Sequence, residues 1–207
     1  MKQSEKTAIT KEKILNAAEM EFAKCGLAAA RVDAIAKEAG VNKQLIYAHF
    51  ESKENLYAVV LEKVYAKILE YESIIAKSEF KGGDTTRMIV MEYFNFLMNN
   101  PTFVRLLLWE NLNNAVYLNN VHTTLFSGAE NLLRKGVEKG VFSKDLDIEQ
   151  TAMSLNLFCF SAFSNVHTVS KVLGKDYSTE KELRKRADHI ADVLTKYTLY
   201  REDDSKC

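Results

Sequence analysis

Residues 32–50 read VDAIAKEAGVNKQLIYAHF. VDAIAKEA at 32–39 is a predicted helix, closed by Gly40. Asn42 then has the side chain of a good N-cap, and KQLIYAHF at 43–50 follows as a short helix with Leu45 or Ile46 and Phe50 facing inward. A helix of about eight residues, a turn containing glycine and a second short helix make a helix-turn-helix, whose second helix can enter the major groove of DNA. That spacing alone is shared by many small helical corners. Composition sharpens it: the second helix exposes Lys43, Gln44, Tyr47, Ala48 and His49, most of them able to donate hydrogen bonds or lie flat against DNA.

Toward the amino terminus, TKEKILNAAEMEFAKC at 10–25 places Ile14, Ala17, Ala18, Phe22 and Cys25 on one stripe. This is an amphipathic helix, marked at its start by Thr10 and at its end by Gly26. Toward the carboxy terminus, Ser52 caps a fourth helix that starts at Lys53 and keeps an apolar period through Val59, Val60, Val64, Ile68 and Ile74 to about residue 78. KGGDTT at 81–86 is the expected linker. Further helices are expected at about 85–99, 102–112, 119–139, 147–173 and 179–200.

The stretch MSLNLFCFSAF at 153–163 is apolar on nearly every face, so it is buried centrally in one chain or covered by a second subunit. The last helix carries Leu183, Ala187, Ile190, Ala191, Leu194 and Tyr197 on one stripe. Two adjacent carboxy-terminal helices with apolar stripes meet the needs of a two-fold four-helix interface. The expected fold is all-α, with a helix-turn-helix domain of three helices at 1–52, a connecting helix at 53–78 and a helical domain at 79–207.

Composition agrees. One proline and eight glycines in 207 residues leave too little punctuation for a strand-rich fold, and 47% hydrophobic residues are too many for a disordered chain. The net charge is zero; residues 1–53 carry nine Lys or Arg against seven Asp or Glu, an asymmetry too small to identify a partner. No segment has the unbroken apolar length of a membrane span and the amino terminus lacks an apolar signal core, so a cytoplasmic, nucleoid-associated protein is expected. Cys25, Cys159 and Cys207 form neither a disulfide framework nor a zinc cluster, and Cys25 reads as core. His122, His167 and His189 are scattered, with His189 and Asp192 an isolated pair, so no metal is expected. Without a phosphate loop, nucleophile elbow or acid-base cluster, neither a cofactor nor catalysis is expected.

The run from Lys11 to Val60 closely resembles the amino-terminal domain of the TetR family of bacterial transcriptional regulators. The resemblance rests on Ile14-Leu15, Phe22-Ala23, Gly26, Ile35-Ala36, Ala39-Gly40-Val41, Ile46-Tyr47, His49-Phe50, Ser52-Lys53-Glu54 and Leu56. It implies an all-helical dimer that binds palindromic operators in double-stranded DNA and releases them when a small molecule occupies the carboxy-terminal domain. Position by position, it assigns Lys43, Gln44 and Leu45, just behind Asn42, to the start of the recognition helix, with Tyr47, Ala48 and His49 along it toward the backbone. Lys53 would meet a phosphate together with the free amides of its helix. Gln44 suits adenine N6 and N7, while Lys43 suits guanine or a phosphate. Ala28-Ala29-Ala30-Arg31 replaces the family's usual Thr or Ser before the second helix, which leaves that helix without a cap and Arg31 as the cation for the phosphate.

The same resemblance places Tyr93, Phe96 and Leu97, then Phe103, Leu106, Trp109, Glu110, Asn113 and Tyr117, and finally Met153, Asn156 and Phe160 on or beside helices that surround an effector cavity. Aromatics with a few polar groups suit a small, mostly apolar ligand, although for any single one of these residues ordinary core is the favoured reading. The rival reading is a TetR-like DNA-binding protein with a solid interior, controlled by a protein partner.

Overall fold

The computed structural model describes residues 3–118 and 126–199. Ten α-helices are found among them: α1 (Gln3–Ala29), α2 (Val32–Ala39), α3 (Lys43–Phe50), α4 (Lys53–Lys77), α5 (Thr85–Asn99), α6 (Pro101–Leu112), α7 (Ser127–Glu138), α8 (Ile148–Ser164), α9 (Val166–Leu173) and α10 (Glu180–Thr198). β pairing among the described residues is limited to an isolated bridge between Phe142 and Leu199. No described helix is long and apolar enough to cross a membrane.

Local chemistry sets most of the boundaries. Gly40 takes a left-handed conformation (φ 67°) and ends α2. The Asn42 carboxamide oxygen accepts the Leu45 amide at 2.8 Å and starts α3, and Ser52 Oγ accepts the Asn55 amide at 3.0 Å and starts α4. Arg31 makes no capping bond at the start of α2, as the alanine run implies.

Four expectations are corrected. The first helix starts at Gln3, not Thr10, because KQSEKTAI holds no breaker; the Thr10 hydroxyl sits mid-helix and donates to the Lys6 carbonyl at 2.9 Å. At its other end Gly26 leaves helical geometry (φ 71°, ψ 173°), as expected of a stop, and a further turn follows across this kink to Ala29. The single helix expected at 147–173 breaks at Asn165, which leaves helical geometry with φ −103° and ψ 3°. In α4 the buried residue near the end is Ile75 while Ile74 is exposed, and in α10 Tyr197 is exposed at the end of the stripe. The start expected for a helix at 119, His122 and Cys207 lie outside the described residues.

The chain divides into two compact units, Met1–Lys67 with Pro101–His122 and Ile68–Asn100 with Thr123–Cys207. In the first, Ile14, Phe22, Ile35, Ile46, Phe50, Leu56 and Val60 are buried, and α6 packs on α1. Each such side chain contributes about 1.5–3 kcal/mol relative to exposure. The carboxylate of Glu110 on α6, fully buried, accepts the Tyr57 hydroxyl at 2.8 Å and the Tyr117 amide at 3.2 Å. Burial and that carboxylate push the Tyr57 hydroxyl well above its ordinary pKa.

In the second unit α5 packs on α8 and α10, and α7 on α8, around Ile89, Val90, Phe94, Leu132, Leu155, Cys159 and Ile190. Residues 81–86, the expected linker, fall inside this unit as a 3-10 turn at Gly82–Asp84 followed by buried Thr85 and Thr86. α8 is covered on the side of Ala152, Leu155 and Cys159 only. Leu157 and Phe158 are 53% and 43% exposed, so central burial of this helix by its own chain does not hold.

Candidate nucleic-acid interface

α2 and α3 form the helix-turn-helix of the first unit. Ile46 and Phe50 anchor α3 from below, at 1% and 4% exposure, and this fixes what points outward. Asn42, Lys43, Gln44, Tyr47 and Ala48 are exposed, while Leu45 and His49 are half-buried, with the His49 ring tilted beside Phe50. The inward residue is thus Ile46, with Leu45 at the margin. Asn42 acts as the cap of α3, its side-chain oxygen satisfying the Leu45 amide of the first turn.

An open cleft of about 480 Å³ runs beside α3, lined among others by Arg31, Asp33, Lys43, Tyr47, Glu51, Lys53 and Glu54. Three cations and three carboxylates share it. Lys53 is tied back: its ammonium donates to the carbonyls of Ala28 and Ala30, each at 3.3 Å, closing the end of α1. Arg31 is exposed, and its amide donates to Glu21 Oε1 at 3.2 Å. Lys43 is paired with Asp33, a residue that sequence reasoning passed over; the detectable sign was an acid in the first turn of α2 facing a base in the first turn of α3.

Between α3 and α4 the chain makes a turn in which the Ser52 amide donates to the Phe50 carbonyl at 2.7 Å, with Glu51 at φ 65° and ψ −48°. This is the rare γ-turn geometry, strained for a residue with a side chain.

The residues assigned to an effector cavity separate between the units. Phe103 and Leu106 are buried in α6 of the first unit; Trp109 and Tyr117 are half-buried there, and Asn113 is exposed with its amide on the Trp109 carbonyl at 2.7 Å. Tyr93, Phe96 and Leu97 are buried on α5 of the second unit, where Met153, Asn156 and Phe160 are half-buried on α8. The Tyr93 hydroxyl is buried and makes no hydrogen bond. Met153 lines a cleft of about 330 Å³ with Phe126, Glu130, Arg134, Ile148 and Glu149. A larger cleft of about 570 Å³ is framed by the end of α8, α9 and α10, including Asn165, Val169, Tyr177, Arg186 and His189.

Glu72 was also missed, since a lone acid inside a helical pattern carries no sequence mark. It is 2% exposed on α4, and its Oε2 accepts the Gly128 amide at 3.0 Å at the start of α7, while Oε1 is unpaired. Burial pushes its carboxyl up to about 7, against the amides of Gly128, Phe126 and Ala129, which pull it down.

Comparison with known proteins matches residues 14–60 to the family of bacterial regulatory proteins, tetR family, and residues 84–194 to the tetracyclin repressor-like C-terminal domain. The chain is 28% identical over 190 residues to the transcriptional repressor NicS of Pseudomonas putida, covering 89% of this chain and 90% of that one. It is 41% identical over 103 residues, half of each chain, to the repressor SCO4008 of Streptomyces coelicolor. Among solved structures, the putative regulator SCO4942 of Streptomyces coelicolor superposes with a TM-score of 0.71 at 24% identity, over 91% of this chain and 98% of that one. FadR of Bacillus subtilis, solved in complex with stearoyl-CoA, superposes at 0.64 and 15% identity, over 90% and 98%. With its helix-turn-helix matching the family's DNA-binding domain and residues 84–194 matching its C-terminal domain, the chain belongs to the TetR family of transcriptional regulators.

Proposed function

We propose that the chain is a homodimeric repressor that holds a palindromic operator with two copies of α3 and releases it when a small, mostly apolar effector occupies the C-terminal domain. The observation that carries this reading is the outer face of α3. Its one amide side chain able to read a base, Gln44, and its cation Lys43 are exposed over a buried anchor of Ile46 and Phe50. Gln44 reads a base, Tyr47 and His49 lie against the backbone, and Arg31 and the amides opening α4 meet phosphates.

Dimerisation through α8 and α10 is supported by the apolar surface that one chain leaves bare: Leu157 and Phe158 on α8, Val193 and Tyr197 on α10. The apolar effector is supported by the aromatic and aliphatic composition of α5 and by the acyl thioester held by the FadR structure. An effector that binds better to one arrangement of the dimer weakens DNA binding, and DNA weakens effector binding by the same factor.

The test is a thermal-shift screen of the full-length protein against fatty acids, acyl thioesters and aromatic acids. Compounds that stabilise the protein are then titrated against the protein–operator complex. Release of DNA by a stabilising compound supports the reading. A compound that stabilises the protein and leaves DNA affinity unchanged contradicts it, and an interior that takes no compound while a bacterial protein releases the DNA establishes control by a protein partner instead.

A further inference from the structure

The ammonium of Lys43 lies 3.1 Å from each carboxylate oxygen of Asp33. The two residues are ten apart in sequence and stand in the first turns of α2 and α3, so the pair bridges the two helices on the outer face of the helix-turn-helix. Both side chains are well exposed, and an ion pair so placed contributes little to folding. Its chemistry at the interface is the larger effect.

A lysine meant to hold a phosphate is poorly served by a carboxylate at 3.1 Å, because the carboxylate repels the same phosphate and partly neutralises its cation. The pair suits a base edge better. In the major groove a G·C pair offers guanine O6 and N7 as acceptors and the cytosine N4 amino group as a donor. Lysine supplies the donor for the first and aspartate the acceptor for the second; A·T also sets acceptors beside its N6 amino donor, but G·C places two acceptors, O6 and N7, side by side for the ammonium, with the N4 amino group that a carboxylate accepts from next to them. Gln44, next along α3, remains free for the neighbouring step.

We propose that Asp33 determines operator specificity: with Lys43 it reads one G·C pair in each half-site, Asp33 accepting from cytosine N4 while Lys43 donates to guanine, and its charge holds down binding to unrelated DNA. This rests on α3 being the recognition helix.

The experiment is selection of bound sequences from a random DNA pool by the full-length dimer and by Asp33→Ala, Lys43→Ala and Gln44→Ala, followed by titration of the selected site and of random DNA. Asp33→Ala and Lys43→Ala are expected to lose preference at the same G·C position, and Asp33→Ala to lower the ratio of operator to random affinity about 10-fold or more by losing operator contacts and gaining affinity for random DNA. Replacing that cytosine by N4-methylcytosine is expected to weaken the unsubstituted protein and leave Asp33→Ala unaffected. If Asp33→Ala tightens operator and random DNA by one factor with unchanged base preference, the proposal is overturned and Asp33 is a repelling charge only. If Lys43→Ala and Gln44→Ala also leave every base preference unchanged, the assignment of α3 itself fails. Unchanged melting of Asp33→Ala shows that the differences arise at the interface.

Discussion

The indole of Trp109 lies so close to Gly26 that a Cβ added to the glycine would fall 2.9 Å from two ring carbons. The same indole reaches the Ala23 carbonyl with its N–H at 3.4 Å, so α6 is docked on the end of α1 at the kink. Gly26 is required twice, for its φ of 71° and for that approach. Gly26→Ala is therefore expected to lose about 2–4 kcal/mol, the sum of backbone strain and overpacking. Urea unfolding measures it. Adding Trp109→Ala should recover the packing part, so the double variant loses less than the two single losses added; strict additivity would show that the contact carries no energy.

Lys53 holds the end of α1 through its bonds to the carbonyls of Ala28 and Ala30 and lines the cleft beside α3, where the proposed interface adds a phosphate contact. Lys53→Ala is expected to lower stability by about 0.5–1.5 kcal/mol and to weaken operator and random DNA by similar factors, with the salt dependence reduced by about one counterion. Denaturant unfolding and salt titration read the two effects. A change in base preference would place Lys53 at a base instead.

Glu51 sits in the strained turn between α3 and α4. Relief of strain is worth about 1–3 kcal/mol, against about 0.5–1 kcal/mol of added chain entropy for glycine. Glu51→Gly is thus expected to stabilise the protein by about 1 kcal/mol, seen as a raised urea midpoint, and to increase affinity for all DNA by removing a carboxylate from the cleft. A lowered midpoint would show that the bond from the Asn55 side chain to Glu51 outweighs the strain.

The Glu72 carboxyl titrates near 7 in the folded chain and near the ordinary 4.5 when unfolded. Between these values the folded chain holds a proton that the unfolded chain has lost, so stability from this group is full below pH 4.5, declines as pH rises through 7, and is level above it. The decline is on the order of 3 kcal/mol. Glu72→Gln keeps an acceptor for the Gly128 amide and removes the charge, so it should flatten the slope of stability between pH 5 and 8 and raise the melting temperature at pH 8. An unchanged slope would place the proton elsewhere.

The helix-turn-helix was legible because its signals are local. Gly40, Asn42 and Ser52 each do in the structure what residue chemistry assigns them, and the missing cap at Arg31 was visible as an alanine run. What escaped depends on partners far along the chain. Asp33 with Lys43, Lys53 with Ala30 and Glu72 with Gly128 join residues 10 to 56 apart, which no periodicity reveals. The break at Asn165 escaped because asparagine is tolerated inside a helix as well as after one. The grouping of α6 with α1 follows from the fit of Trp109 to Gly26, a matter of shape that hydrophobic pattern does not encode.

The central claim is that two copies of α3 read a two-fold symmetric DNA site. Selection from a random pool at physiological salt, with the recovered site titrated against the unsubstituted protein and Gln44→Ala, tests it most directly. The account predicts an enriched palindrome whose half-sites lie about one helical turn or a multiple apart, and a loss of preference at one position per half-site in Gln44→Ala. Weak, salt-sensitive binding with no enriched sequence, or an enriched site that Gln44→Ala reads unchanged, would contradict it.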